Sequence, residues 1–168
     1  TAGKLVKITD ADGNVQTYEV NGNGFNTVES DWMGNLTRYT YDTQSNVTSI
    51  TDPLNNVTYY TYDERGNLST TTDANGHTTS YIYDASGRMI SMTDANGNVW
   101  TYSYNNESQM TSVTDPTGGK VTTSYDEVGR TTSTKDANGN TTRYTYDGVG
   151  NTTKVTDALS HSTSYEYD

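Results

Sequence analysis

An all-β tandem array is the fold class this sequence predicts, and three observations predict it. An aspartate recurs every 21 residues, at Asp10, Asp31, Asp52, Asp73, Asp94, Asp115, Asp136 and Asp157, with no insertion. Tyrosines two residues apart follow most of these aspartates at a fixed distance. The stretches between are dense in Thr, Gly and Asn, a mixture that disfavours helix and suits strands and turns.

Residues 136–156 show one unit: DANGNTTRYTYDGVGNTTKVT. Counting Asp136 as position 1, the DANG segment is a turn, because Asp and Asn bond their own backbone and Gly accepts positive φ. NTTRYTYD alternates and is rich in Thr and Tyr, so it is a strand. DGVGN is a second turn and TTKVT a second, shorter strand. Each repeat therefore holds two antiparallel strands joined by hairpins, the shortest connection available. Eight repeats fill residues 1–168 as one uninterrupted array. Sixteen strands in one meander give a sheet roughly 75 Å long at ~4.8 Å per strand. Such a sheet has no second layer, so the array is expected to coil as a solenoid-like ribbon, close on itself, or stack on another chain.

The fixed positions are specific. Position 9 is Tyr at Tyr18, Tyr39, Tyr60, Tyr81, Tyr102, Tyr144 and Tyr165. Position 11 is Tyr at Tyr41, Tyr62, Tyr83, Tyr104, Tyr125, Tyr146 and Tyr167. Position 15 is Gly at Gly3, Gly24, Gly66, Gly87, Gly129 and Gly150. Tyrosines at positions 9 and 11 share one strand face. With 15 Tyr but one Phe and only 30% hydrophobic residues, Tyr must supply most of any packed face. Leu5, Leu68, Met89 and Met110 at position 17, with Ile8, Ile50, Met92 and Val113, are expected to join the same core.

Composition excludes several functions. The net charge of -11 repels a phosphate backbone and gives no attraction to anionic membranes, so neither nucleic acid nor membrane insertion is expected. No apolar run approaches the ~20 residues of a membrane span. The absence of Cys removes disulfides, thiol nucleophiles and thiolate metal sites. No nucleophile–His–acid set, P-loop or dinucleotide fingerprint occurs. His77 and His161 stand at position 5, too far apart in sequence to make a metal site or an acid–base pair. Arg38, Arg65, Arg88, Arg130 and Arg143 are expected to offset neighbouring carboxylates.

Two kinds of candidate site remain. The DANG-type turns place Asp10, Asp12, Asp73, Asp94 and Asp136 as candidates for weakly bound calcium. That ion takes roughly six to eight oxygens and here lacks the bidentate Glu of an EF-hand. The simpler expectation is an Asx turn whose carboxylate accepts backbone N–H groups, with no cofactor. Sequons at Asn35, Asn46, Asn56, Asn67, Asn106, Asn140 and Asn151 offer glycan acceptors if the producing cell glycosylates.

The segments Tyr62-Asp63-Glu64-Arg65-Gly66-Asn67-Leu68, Tyr83-Asp84-Ala85-Ser86-Gly87-Arg88-Met89 and Tyr146-Asp147-Gly148-Val149-Gly150-Asn151 resemble the signature of Rhs/YD (tyrosine-aspartate) repeats. The Thr-Asp-Ala-Asn-Gly runs at 72–76 and 93–97 are similar to the rest of that unit, and the resemblance extends over the whole chain. It implies a spiralling β-ribbon. In Rhs toxins, insecticidal toxin complexes and teneurins that ribbon makes a hollow shell, and in bacterial surface proteins it serves extracellular or cell-surface roles. The expected function is a non-catalytic structural module of an extracellular fibre or shell. The alternatives are a carbohydrate-binding adhesin segment and a wall segment of a toxin-enclosing shell. Expected partners are itself or adjoining repeats end to end, with glycans as the further possibility. Thr1 does not resemble a natural start, and Tyr165, Tyr167 and Asp168 keep the motif to the last residue. The array is thus expected to continue, through attached repeats or through further copies in a filament.

Overall fold

The computed structural model describes residues 4–168, with side chains from Val6 onward. Expectations for Thr1, Gly3 and the Leu5 side chain lie outside these. The strands, in order, are β1 (Lys4–Thr9), β2 (Val15–Val20), β3 (Asn26–Ser30), β4 (Leu36–Tyr41), β5 (Val47–Thr51), β6 (Val57–Tyr62), β7 (Leu68–Thr72) and β8 (Thr78–Tyr83). They continue as β9 (Met89–Thr93), β10 (Val99–Tyr104), β11 (Met110–Thr114), β12 (Lys120–Tyr125), β13 (Thr131–Lys135), β14 (Thr141–Tyr146), β15 (Thr152–Thr156) and β16 (Ser162–Ser164). Sheet order follows chain order, the strands pair antiparallel, and no helix occurs among the described residues. The chain divides into two compact units, Thr1–Tyr81 and Ile82–Asp168.

The period of 21 is a sum of two unequal hairpins. Turn-opening residues fall at Asp31, Asp42, Asp52, Asp63 and so on, so steps of 11 and 10 alternate. The position 1 turn joins strands in plain register: in the first unit Thr51 faces Val57, Ile50 faces Thr58 and Ser49 faces Tyr59. The position 12 turn joins strands through a bulge. Tyr62 faces Leu68, but Thr61 faces Thr70, so Ser69 is left over. The same shift occurs at Thr40/Tyr41 in this unit, and at Ser103/Tyr104, Ser124/Tyr125 and Thr145/Tyr146 in the second. Side chains alternate across a strand, and one extra residue reverses that alternation. The bulge therefore keeps position 20 on the same face as positions 17, 9 and 11.

That face is the tyrosine face. In β6 exposure alternates, with Tyr60 and Tyr62 half-buried and Tyr59 and Thr61 exposed. β4 and β14 repeat the pattern. The opposite face carries hydroxyls, which bond one another at Thr40 to Ser49 (2.7 Å), Thr61 to Thr70 (2.6 Å) and Thr72 to Thr78 (2.8 Å).

One expectation needs correction. No hydrophobic side chain is fully buried among the described residues. Leu68, Ile50, Met89, Met92 and Val113 are half-buried, whereas Ile8 and Met110 are exposed. They line a face and do not form a core, because a single layer of sheet covers its side chains only with same-face neighbours. Among the described residues the buried side chains are Ser30, Ser49 and Ser112, small enough for their neighbours to cover.

Each turn places its fourth residue in the left-handed region. Eleven positions take Gly there, and the exceptions are Ser45, Asn55, Ser108 and Ser160, at φ of 64 to 73°. A Cβ at Gly97 would meet nothing within 4 Å, so only backbone strain opposes a side chain. Gly97→Ala should therefore lower stability by about 1 kcal/mol, and Ser108→Gly should raise it by about 0.5 kcal/mol, in urea denaturation.

Candidate functional site

The turns are built alike on both edges of the sheet. At Asp94 the backbone N–H donates to the carbonyl of Asn98, and the N–H of Gly97 donates back to the carbonyl of Asp94. This is a three-residue hairpin connection ending in a left-handed residue. The carboxylate then closes it: Oδ1 accepts the N–H groups of Asn96 and Asn98, both at 2.9 Å, and Oδ2 accepts the Asn98 side-chain amide at 2.8 Å. The position 12 turn at Asp63 repeats this with Arg65 N, Asn67 N and Asn67 Nδ2. At Asn21 and Asn105 an amide oxygen accepts the same two N–H groups.

The side chain four places along varies in type, yet at most turns it binds the opening carboxylate. His77 and His161 put Nδ1 3.0 Å from Oδ2 of Asp73 and Asp157. Arg88 and Arg130 donate Nε to Asp84 and Asp126 at 2.8 and 2.7 Å. The histidines are turn-closing groups, a role the periodicity holds at position 5 but that residue type alone hides. Arg38 and Arg143, at position 8 within β4 and β14, form no ion pair among the described residues.

These bonds favour the ionised carboxylate. At Asp94 the Asn98 side chain lowers the pKa most, partial desolvation opposes it, and the N–H groups of Asn98 and Asn96 add to the lowering. The direction is downward from 3.8 at the other turn aspartates too.

Neighbouring repeats are bonded to one another by the position 11 tyrosines. The hydroxyl of Tyr62 donates to the carbonyl of Val47, at position 17 of the preceding repeat, at 2.8 Å. Tyr41 reaches Asn26 at 2.6 Å, Tyr104 reaches Met89 and Tyr125 reaches Met110 at 2.8 Å, and Tyr146 reaches Thr131 at 2.6 Å. The registered ladder between β5 and β6 begins at Ser49, so the hydroxyl fills an acceptor that this ladder leaves unused. Arg88 adds a second link, donating Nη1 to the carbonyl of Asn105 at 2.8 Å and lying 4.9 Å from the Tyr104 ring centre. Arg130 does likewise with Asp147 and Tyr146, and Gln109 donates to the carbonyl of Gly129.

Other candidates are placed as follows. At Asp10, Asp73, Asp94 and Asp136 both carboxylate oxygens already serve their own turns, whereas Asp12 stands exposed at a turn tip. No group of three or more His, Cys, Asp or Glu is placed to hold a metal among the described residues. Six of the seven sequon asparagines donate their amide to a turn aspartate: Asn35, Asn46, Asn56, Asn67, Asn140 and Asn151. Asn106 alone stands at a turn tip outside that role. In the second unit an open groove of about 920 Å³ is lined by Asn105, Glu107, Gln109, Thr122, Ser124 and Glu127 among others.

The family model described as RHS Repeat matches residues 41–79, 62–98, 83–120 and 125–159, more than half of the chain. No curated protein matches. Among solved structures, the chain is similar to a component of the Photorhabdus luminescens Tc holotoxin pore, with TM-score 0.73 and 17% identity over 92% of this chain and 10% of that one. It is also similar to TcdB2-TccC3, with TM-score 0.60 and 18% identity over 89% and 9% of the two chains. For TcdB2-TccC3 without its hypervariable C-terminal region the values are 0.61, 20%, 94% and 9%. The chain thus spans about a tenth of the length of those it resembles. Identities this low establish a shared fold.

Two outcomes follow from the turns and the clasps. Because folding lowers the aspartate pKa values, their stabilisation is complete above about 3.8 and is lost as pH falls below it. Thermal melts should therefore be flat from pH 7 to about 5 and fall steeply below 4. Tyr104→Phe should cost about 1 kcal/mol by leaving the Met89 carbonyl without its donor, measured by urea denaturation.

Proposed function

We propose a function from the premise that this chain belongs to the RHS repeat family: it is a structural wall module that works outside the cell and carries out no catalysis. The observation that supports this is the tyrosine clasp, in which position 11 of one repeat holds position 17 of the one before. A bond repeated at successive junctions within each unit builds length and rigidity. Both histidines bond an aspartate in their own turn, and among the described residues neither is bonded to a hydroxyl that could act as a nucleophile. The likeness in fold to Tc toxin components fits a wall segment of a larger enclosing shell.

Because most repeats bind the one before by the same tyrosine bond, the partner of this array is more of the same array, attached covalently or supplied by a further copy. Sedimentation across a concentration series separates the two. Particle mass rising in whole-chain steps indicates association of copies. A single monomeric species at every concentration removes that reading and leaves covalent continuation.

A second reading, saccharide binding, has one observation behind it: the open groove lined by Gln109, Thr122, Ser124 and Glu127, whose amide, hydroxyl and carboxylate groups suit a polyol. The wall-module account predicts no reproducible ligand on a glycan array. A saccharide whose binding is lost in Gln109→Ala would establish the second reading.

A further inference from the structure

A strict repeat makes its own departures informative. Position 20 lies on the tyrosine face and carries Ile8, Ile50, Thr71, Met92, Val113, Thr134 and Val155, all uncharged. The remaining copy is Glu29. A carboxylate there weakens a face on which other repeats place apolar groups, and the turns gain nothing from it.

Its surroundings are specific. In β3, Glu29 stands directly across from Tyr18 of β2 and from Thr37 of β4. Tyr39, two residues beyond Thr37 on the same face, donates its hydroxyl to Glu29 Oε1 at 2.6 Å. Among the described residues Oε2 is approached by Asn26 Nδ2 alone, at 3.5 Å, the limit of a hydrogen bond. No ion pair includes Glu29 among the described residues. The result is a half-exposed carboxylate with one oxygen bonded to Tyr39 and the other given no short protein partner among the described residues, and with a tyrosine on each neighbouring strand. Tyr39 feels this charge: burial and then the bond to Glu29 push its pKa up to about 12.

We propose that Glu29, Tyr18 and Tyr39 form a binding site for a guanidinium group, the arginine side chain of a basic partner polypeptide. Aromatic faces attract cations, and the carboxylate supplies the counter-charge. Guanidinium suits the site better than ammonium because its plane stacks on a ring while its fork of N–H donors meets a carboxylate edge. The net charge of -11 draws basic partners toward the chain, and this site gives them a fixed anchor.

The test is an NMR titration of the full chain with N-acetyl-arginine amide at matched ionic strength. Saturable shifts of the Tyr18 and Tyr39 ring signals are expected. Glu29→Gln keeps an oxygen to accept the Tyr39 hydroxyl and should weaken binding at least about tenfold. Glu64→Gln, at an exposed turn tip of the same unit, should bind as the parent does. If Glu29→Gln loses its native amide dispersion, Tyr18→Leu, which keeps the face apolar, decides the matter by weakening binding about threefold. Shifts that sodium chloride reproduces, or affinity unchanged in both Glu29→Gln and Tyr18→Leu, would overturn the proposal.

Discussion

A sheet with no buried hydrophobic side chain among its described residues must be held by something other than a core. Here that is the aspartate carboxylate that opens most turns, replaced by an amide at Asn21 and Asn105. One oxygen takes two backbone N–H groups, the other takes the side chain that ends the turn, and the hairpin is closed in both directions. Charge-assisted bonds of this kind are among the stronger ones open to an exposed segment. The cost is modest backbone strain where Gly is missing, as at Ser45 and Asn55. With the turn fixed, strand register follows, because hairpin geometry sets it.

The tyrosines then turn a row of hairpins into an array. A position 11 ring lies on the half-buried face while its hydroxyl crosses to the preceding repeat. This is the use to which tyrosine is best suited: a broad apolar body with a polar tip that needs one acceptor. The bulge beside it keeps Leu68 and Thr71 on the tyrosine face despite their odd spacing. Remove the bulge and alternate strands would present hydroxyls where the next repeat offers rings. The unequal steps of 11 and 10 are the trace of this in the sequence.

Much of this is legible in the sequence. The turns were readable because Asp, Asn and Gly act locally, through bonds within five residues, and β15 (Thr152–Thr156) falls where the TTKVT segment places it. The shared face of Tyr60 and Tyr62 followed from strand periodicity alone. What was hidden depends on contacts distant in sequence. The Tyr62 acceptor is a backbone carbonyl 15 residues away, and carbonyls carry no sequence mark. The expected core failed for a related reason: composition shows which residues are apolar, but burial needs a second layer. Glu29 was visible as a letter, yet its meaning required knowing that position 20 faces the rings.

The central claim is that exposed turns, and not a core, hold this fold. Native-state hydrogen exchange at a single hairpin tests it most directly. The amides of Asn96 and Asn98 lie in an exposed turn but donate to the Asp94 carboxylate, whereas the adjacent Ala95 amide does not. The account predicts slow exchange at Asn96 and Asn98, approaching that of the flanking strands, with fast exchange at Ala95, and loss of the difference in Asp94→Ala. Exchange at Asn96 and Asn98 as fast as at Ala95 in the parent chain, with the strands still protected, would contradict it.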